Sequence, residues 1–236
     1  MKKIAVIPAR YAATRFPGKL MQPLGHKTVI AHTYMATVAT QLFDLVVVAT
    51  DSDVIRKEIE QYNGKVVMTR SDHESGTDRI AEAVKSLDVD VIVNVQGDTP
   101  FVNAGALEKL LLLFNDPDVQ VASLMDVITV KEELLNPNVV KVCVDKKMNA
   151  LFFSRSLIPY PRNTDIPITH YRHIGVYGFR KSAILQFTTW PVTPLEDAEK
   201  IECLRFLENG ITLRMALTEP MGIDINTPED LKRAQN

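Results

Sequence analysis

Short runs of apolar, mostly β-branched residues alternate with amphipathic segments through the first half of the chain. The runs predict buried strands over residues 4–7, 45–49, 65–69 and 91–95. Apolar residues at helical spacing predict helices over residues 28–39, around Val54, Ile55 and Ile59, over 79–87 and over 104–115. Repeated strand-then-helix segments with all-apolar strands are typical of a parallel sheet covered on both faces.

The rhythm changes from about residue 119. Strands are predicted over 119–125, 139–144, 151–153, 173–179 and 212–217, a long irregular loop over 159–169, and one helix over 194–209 in which Glu196 lies four residues before Lys200. Near the end of the sequence, a motif predicts the start of a helix. Thr227 is the expected N-cap, Pro228 the first helical residue and Asp230 an acidic third residue. We therefore expect one domain over residues 1–236, with an α+β insertion at about 127–190.

Composition narrows the class of protein. The chain has 236 residues, of which 46% are hydrophobic and 24% charged, and this excludes disordered and fibrous proteins. The net charge of −2 argues against a broad nucleic-acid surface. Two cysteines, Cys143 and Cys203, cannot form a disulfide framework, and no apolar run approaches the roughly 18 residues of a membrane span. We expect a cytoplasmic protein with no nucleic-acid or membrane partner.

The first strand leads into a basic loop over residues 8–19. It carries Arg10, Arg15 and Lys19, and a strand that ends in such a loop suits a polyphosphate. The alternative is an ordinary solvated loop whose charges only keep the protein soluble. The sequence contains neither G-x-x-x-x-G-K-[ST] nor G-x-G-x-x-G, which argues against a P-loop ATPase and a Rossmann dehydrogenase.

Asp98 follows another apolar strand and a glycine, so its carboxylate is a candidate ligand for Mg²⁺. The alternative is a turn aspartate with no ligand. Asp224 and Asn226 are the candidates for a second ligand; two residues apart in a strand, they would point the same way. Because the loops over 8–19, 69–79 and 96–100 all follow strands, we expect them at one edge of the sheet.

The polar loop from His73 to Arg79 could contact a nucleobase or a ribose, or could do no more than cap a helix through Ser75 or Thr77. His170 and His173 have H-x-x-H spacing but no third partner suited to a transition metal. We expect Cys203 to pack in the interior rather than act as a nucleophile.

In order along the chain, a set of motifs resembles sugar nucleotidyltransferases and, more narrowly, the 3-deoxy-manno-octulosonate (Kdo) cytidylyltransferases. The first half matches at residues 8–12, 14–19, 48–51, 68–70, 73, 75–79 and 93–98, and the second half at 136–138, 140–142, 153–155, 158–159, 172–178, 194–196, 202, 204–205 and 227–231.

The resemblance implies a Mg²⁺-dependent reaction, CTP + Kdo → CMP-Kdo + pyrophosphate, in bacterial lipopolysaccharide assembly. It also implies a GT-A-like, Rossmann-type α/β fold and a homodimer built through the insertion. By position, the resemblance assigns catalysis to Arg10, Arg15, Lys19 and Asp98, of which the three cations would bind the CTP phosphates. It assigns cytidine binding to Ser75, Gly76, Thr77 and Gln96, and sugar-acid binding to Arg155, His173, Tyr177 and Glu202. The metal would be held by Asp98 with Asp224 or Asn226.

Four positions depart from the family pattern: Ala13 replaces a serine, Thr99 a glutamate or glutamine, Cys203 a glutamine, and Asn226 an aspartate. They leave three alternatives open. The substrate could be 8-amino-8-deoxy-Kdo, since one or two pocket residues can read a change at one carbon. It could be another acidic sugar such as a sialic acid, or the chain could be a non-catalytic nucleotide-binding regulator.

Overall fold

The computed structural model describes residues 1–11, 16–219, 222 and 224–235. The described chain forms two compact units, Met1–Glu108 with Met221–Asn236 and Lys109–Pro220. The expected single domain with an insertion at about 127–190 stays a prediction. In the described part of the chain, no helix has the length and apolar character needed to cross a membrane.

The first unit contains a parallel sheet with strand order β6-β1-β4-β5. Helices pack against β1 and β4, and the core is aliphatic, with Ile4, Ile7 and Ile80 fully buried. The expected mostly parallel, helix-flanked α/β architecture is confirmed. Its elements are β1 (Lys3–Ala9), β2 (Pro23–Leu24), β3 (Lys27–Thr28), α1 (Val29–Ala39), β4 (Leu45–Thr50), α2 (Asp53–Glu60), β5 (Lys65–Met68), α3 (Gly76–Val84) and β6 (Val91–Asn94).

Side-chain caps decide where these helices begin. The Ser52 side chain accepts a hydrogen bond from the Ile55 N–H at the start of α2. The Ser75 side chain does the same for the Asp78 N–H, so α3 begins at Gly76. The prediction that this helix covers 79–87 was wrong by three residues at each end, because apolar spacing locates a buried face and not a cap.

Helix α4 (Ala104–Leu112) contains the boundary between the two units, and a 3-10 turn, Leu113–Asn115, continues it. In the second unit β11 lies parallel to β7, whereas β10, β8 and β9 follow with antiparallel pairing. Its core is aromatic, with Phe153, Phe179 and Phe206 fully buried. Its elements are β7 (Val121–Val127), α5 (Lys131–Leu135), β8 (Lys141–Val144), β9 (Ala150–Ser154), β10 (Tyr171–Arg180), α6 (Lys181–Phe187), α7 (Pro194–Glu199), α8 (Leu204–Glu208) and β11 (Leu213–Leu217).

The predicted helix over 194–209 is two helices, because Lys200 adopts a left-handed backbone conformation with φ 52°. The four-residue spacing of Glu196 and Lys200 does not give a pair, because each binds another residue. Glu196 forms a bidentate ion pair with Arg205 at 2.6 and 2.7 Å, and Lys200 pairs with Asp197. Helices α5 and α6 were not predicted.

The C-terminal signal was correct. Helix α9 (Pro228–Gln235) belongs to the first unit and starts with Pro228. The Asp230 carboxylate accepts from the Thr227 N–H at 2.9 Å, and the Asp230 N–H donates to the Thr227 hydroxyl at 3.2 Å. This reciprocal cap fixes the chain just after Asn226.

Candidate active site

A cavity of about 250 Å³ opens where the parallel strands of the first unit end. We call it the strand-end cavity. Its walls come from the loops after β1, β5 and β6, so the expected meeting of three loops at one edge is confirmed. The residues that line it are Pro8, Ala9, Arg10, Phe16, Lys19, Leu20, His73, Glu74, Ser75, Gly76, Arg79, Gln96, Gly97, Asp98 and Asn226.

Lys19 contacts two other polar residues of the cavity wall, Asp98 and Asn226. Gly18 has φ 65°, a conformation that glycine adopts without strain, and it starts the 3-10 turn Lys19–Met21. The Lys19 ammonium group forms an ion pair with the Asp98 carboxylate and lies 3.4 Å from Asn226 Oδ1. The loop after β1 and the loop after β6 thus meet at one cation.

The backbone brings Asn226 to this cluster. The Ile225 N–H donates to the Asp98 carbonyl at 2.8 Å, and the Ile225 side chain is fully buried. The Asp224 carboxylate accepts from the Thr99 hydroxyl at 2.7 Å and lies close enough to Asp98 and Lys19 to feel their charges. Residues 224–226 are not a strand, so the strand geometry behind the expectation that Asp224 and Asn226 point the same way does not apply here. Desolvation, and secondarily the nearby Asp98 charge, raise the pKa of Asp224.

The oxygen atoms of Asp98 and Asn226 both face one cation, the Lys19 ammonium group, which makes this pair of oxygen donors a candidate Mg²⁺ site. No group of three or more His, Cys, Asp or Glu side chains suited to a metal occurs in residues 1–11, 16–219, 222 and 224–235. Two protein oxygens nevertheless fit Mg²⁺, since this ion usually takes one or two protein ligands and leaves the rest to water and phosphate.

The predicted nucleotide residues divide into three groups. Arg10, Ser75, Gly76 and Gln96 line the strand-end cavity with Lys19. Thr77 does not: it lies inside α3 and is only 2% exposed, because the cap at Ser75 turns the next residues into the helix. Arg15 lies outside the described residues.

Two side-chain contacts made by residues of this wall were missed in the sequence. The His73 ring bonds the Glu82 carboxylate, and Arg79 contacts Asp51 at 3.1 Å. Burial alone would raise the pKa of Glu82, but hydrogen bonds from His73 and from the Arg70 N–H outweigh it and lower that pKa. These partners are 9 and 28 residues apart, and no local spacing marks them.

The second unit has its own cavity, of about 430 Å³. It lies beside a β-bulge in β10, where the register against β7 shifts between Ile174 and Tyr177. We call it the bulge cavity. It brings together three of the four predicted sugar residues, and it is lined by Asn138, Val139, Val140, Arg172, His173, Gly175, Tyr177, Lys200, Ile201 and Glu202.

Arg155, the fourth predicted sugar residue, does not line the bulge cavity. Its guanidinium donates to the carbonyl groups of Glu199, Pro137 and Lys200 at 2.6, 2.8 and 3.2 Å. It therefore ties together the two segments that carry the cavity walls. Nothing in the sequence distinguishes an arginine that binds a ligand from one that binds carbonyl groups.

Arg172 and Lys200 are the cations that do line this cavity, and the sequence did not single them out. The Arg172 guanidinium is held by the Asp126 and Glu133 carboxylates, and the hydrogen bond to Asp126 raises the pKa of Arg172. Burial lowers the pKa of His173 to about 4, so its imidazole is neutral near pH 7.

Burial raises the pKa of Tyr177, and that of Cys203 is raised by the same cause. Cys203 is 1% exposed, which confirms the prediction that it packs in the interior. A deeply buried thiol with a raised pKa is a poor nucleophile.

Lys141 supports the same wall from inside. Its side chain is fully buried, and its ammonium group donates to the carbonyl groups of Asn136, Val139 and Arg155 at 2.9, 2.8 and 2.6 Å. Three donors meet three acceptors, which allows a buried ammonium to stay charged although burial lowers its pKa.

The family model and the relatives of high identity agree on one family. The cytidylyltransferase family model matches residues 4–216. A 3-deoxy-manno-octulosonate cytidylyltransferase from Flavobacterium johnsoniae is 58% identical over 100% of this chain and 98% of its own, and one from Christiangramia forsetii is 50% identical over 98% and 95%. A solved CMP:2-keto-3-deoxy-manno-octonic acid synthetase complexed with CTP matches with a TM-score of 0.95 at 36% identity, over 100% of this chain and 97% of that one. The chain therefore belongs to the cytidylyltransferase family, in its group of 3-deoxy-manno-octulosonate cytidylyltransferases.

Proposed function

We propose that the protein catalyses CTP + Kdo → CMP-Kdo + pyrophosphate, the step that the resemblance assigns to bacterial lipopolysaccharide assembly. The close relatives that bear this name support the proposal. The observation that carries it is the strand-end cavity, in which Lys19, Asp98 and Asn226 meet at the ends of parallel strands.

In the proposed reaction the anomeric hydroxyl of the sugar attacks the α-phosphorus of CTP, and pyrophosphate leaves. Negative charge shifts onto phosphate oxygens, so the protein's task is positioning and charge stabilisation. Lys19 and Arg10 line the strand-end cavity and supply positive charge and hydrogen-bond donors for these oxygens. Arg15 would add a third cation.

We propose Mg²⁺ as the cofactor, held by Asp98 and Asn226. When bound, Mg²⁺ supplies further positive charge to the triphosphate. Asp224 is the alternative to Asn226; its carboxylate accepts from Thr99 through Oδ1. Ser75, Gly76 and Gln96, in the same wall, are placed to contact the nucleoside.

We propose that the sugar acid occupies the bulge cavity. Arg172 and Lys200 suit its carboxylate, and His173, Tyr177 and Glu202 offer polar groups to its hydroxyls. An 8-amino-8-deoxy sugar is the second candidate substrate, because Glu202 places an acid in the cavity wall.

A homodimer is the proposed assembly, and the cytoplasm, where CTP is available, is the proposed location. Large apolar side chains are exposed along residues 127–168, as expected of a surface that a second copy of the chain covers in a dimer. They are Val127, Val130, Leu135, Leu151, Tyr160, Ile166 and Ile168. Sedimentation equilibrium of the protein and of a Leu135→Glu variant tests this assembly. A monomeric unmodified protein would contradict it.

Pyrophosphate release in the presence of Mg²⁺ tests the reaction itself. CTP is paired with Kdo, with 8-amino-8-deoxy-Kdo and with a sialic acid, and UTP with Kdo is the control. We expect release with CTP and Kdo and little with UTP. Release with only one of the other sugars would replace Kdo as the substrate, and no release with any would favour a regulator.

A further inference from the structure

Ser123 on β7 is fully buried and contacts His173, which lines the bulge cavity. Its hydroxyl oxygen lies 3.0 Å from Nε2 of His173, 3.1 Å from the Ile174 carbonyl and 2.9 Å from the Val176 carbonyl. The register shift of β10 between Ile174 and Tyr177 directs these two carbonyl groups at one side chain.

The count of protons in this group determines the direction of each hydrogen bond. A hydroxyl has one proton to donate, and a carbonyl oxygen can only accept. If the Ser123 hydroxyl donated its proton to His173, the lone pairs of its oxygen would face two carbonyl oxygens within 3.1 Å with no proton between them. The Ser123 proton therefore points to the carbonyl side. The contact to His173 therefore has Nε2–H as the donor and the Ser123 oxygen as the acceptor.

This assignment leaves Nδ1 as the basic nitrogen of the His173 ring. Nδ1 has no hydrogen-bond partner among the described residues. It is also not one of their fully buried polar atoms that lack a partner, so it retains some exposure. The ring lines the bulge cavity and is held by edge contact with Phe153 at 4.9 Å and by Tyr177 at 5.3 Å between centroids. A neutral ring held in this way offers the cavity a hydrogen-bond acceptor.

We propose that Ser123 is a positioning residue that fixes the His173 proton on Nε2, so that Nδ1 accepts a hydrogen bond from a hydroxyl group of the sugar. The inference rests on the proposed function for the identity of the ligand. It assigns His173 to a hydroxyl rather than to the carboxylate, because a carboxylate has no proton to donate near pH 7. The carboxylate is then left to the cations Arg172 and Lys200.

The first test reads the tautomer directly on the free protein. Long-range ¹H–¹⁵N NMR of protein with ¹⁵N-labelled imidazoles distinguishes a protonated from an unprotonated ring nitrogen. The chain has only five histidines, so the spectrum of a His173→Gln variant assigns the signals. We expect a neutral His173 ring with its proton on Nε2 at pH 7.5. A proton on Nδ1, or a doubly protonated ring, would overturn the proposal.

The second test removes the acceptor. In Ser123→Ala we expect a mixture of the two His173 tautomers and a rise of about fivefold to tenfold in the KM for the sugar, the size of one lost hydrogen bond. The KM for CTP should stay unchanged. Ser123→Cys, which keeps nearly the same volume with a weak acceptor, should give an intermediate KM and covers the case in which the alanine variant does not fold.

Thr37→Val is the matched control. It also removes a fully buried hydroxyl that donates to a backbone carbonyl, at 2.7 Å in α1, but it is remote from the bulge cavity along the chain. A similar KM rise in this variant, or an unchanged tautomer and KM in Ser123→Ala, would overturn the positioning role. Because the tautomer is read without substrate, absence of turnover by the unmodified protein would refute the proposed function separately.

Discussion

The two cavities are built on opposite principles. In the strand-end cavity, functional side chains lie on loops that directly follow apolar strands, and the cation Lys19 lies among the cavity walls with Asp98 and Asn226. In the bulge cavity, the walls depend on charged groups buried behind them, such as Lys141 on three carbonyl groups. The loops that carry the first cavity's residues are therefore visible in the sequence as strand ends, whereas no strand-end pattern marks the buried groups that support the second.

Asp98→Asn should give the largest effect and tests the strand-end side of this comparison. Loss of the carboxylate removes a proposed metal ligand while keeping the side-chain volume, so we expect turnover to fall at least about 100-fold with an unchanged fold. Pyrophosphate release and circular dichroism measure the two quantities.

Asp88→Asn is the control for this variant, because the Asp88 side chain is fully exposed and pairs with Lys2 at 3.8 Å. Its turnover should match that of the unmodified protein. An Asp98→Asn variant with near-normal turnover and normal Mg²⁺ dependence would remove the basis of the proposed site.

Lys141→Met tests the opposite principle in the bulge cavity. The change keeps the apolar stem but removes the ammonium donor from three carbonyl groups, of which that of Asn136 still accepts from the Val139 N–H at 3.1 Å, so we expect a loss of about 3 kcal/mol in the free energy of unfolding. Urea denaturation measures it. We also expect the KM for the sugar to rise more than the KM for CTP.

Lys146→Met is its control, since Lys146 is exposed and lies in the turn after β8. This variant should lie within about 0.5 kcal/mol of the unmodified protein, as surface changes usually do. Equal effects from Lys141→Met and Lys146→Met would mean that the buried ammonium does not support the wall.

The imidazole of His173, in the same cavity wall, should make the free energy of unfolding depend on pH. His173 has a pKa of about 4 in the folded protein against 6.5 as an ordinary value, so the unfolded chain binds the proton first as the pH falls. The stability that this pKa difference contributes is fully present above pH 6.5, declines as the pH falls toward 4 and is lost below that pH. It amounts to at most about 3 kcal/mol. In His173→Gln, urea denaturation between pH 7.5 and 4.5 should show a shallower decline. Parallel curves for the two proteins would contradict it.

The same contrast explains what the sequence could predict. The strands of the first unit and the loop edge were predictable, because buried parallel strands are contiguous apolar runs and their loops follow at once. Arg155 and Arg172 were not distinguishable, because one arginine binds carbonyl groups and the other lines a cavity only through long-range folding. The break at Lys200 was also hidden, since the apolar spacing on either side of it is helical.

Thr77→Val should have the smallest effect and marks where local encoding ends. Thr77 belongs to a motif whose neighbours Ser75 and Gly76 line the strand-end cavity, but its own side chain is buried inside α3. Valine has nearly the same shape, so we expect the KM for CTP to change less than about threefold, within the range of a change that makes no direct ligand contact. Gln96→Ala, at a residue that does line the cavity, should raise the KM for CTP more. The reverse order would show that membership of the motif, rather than the cavity wall, identifies the residues that bind the nucleotide.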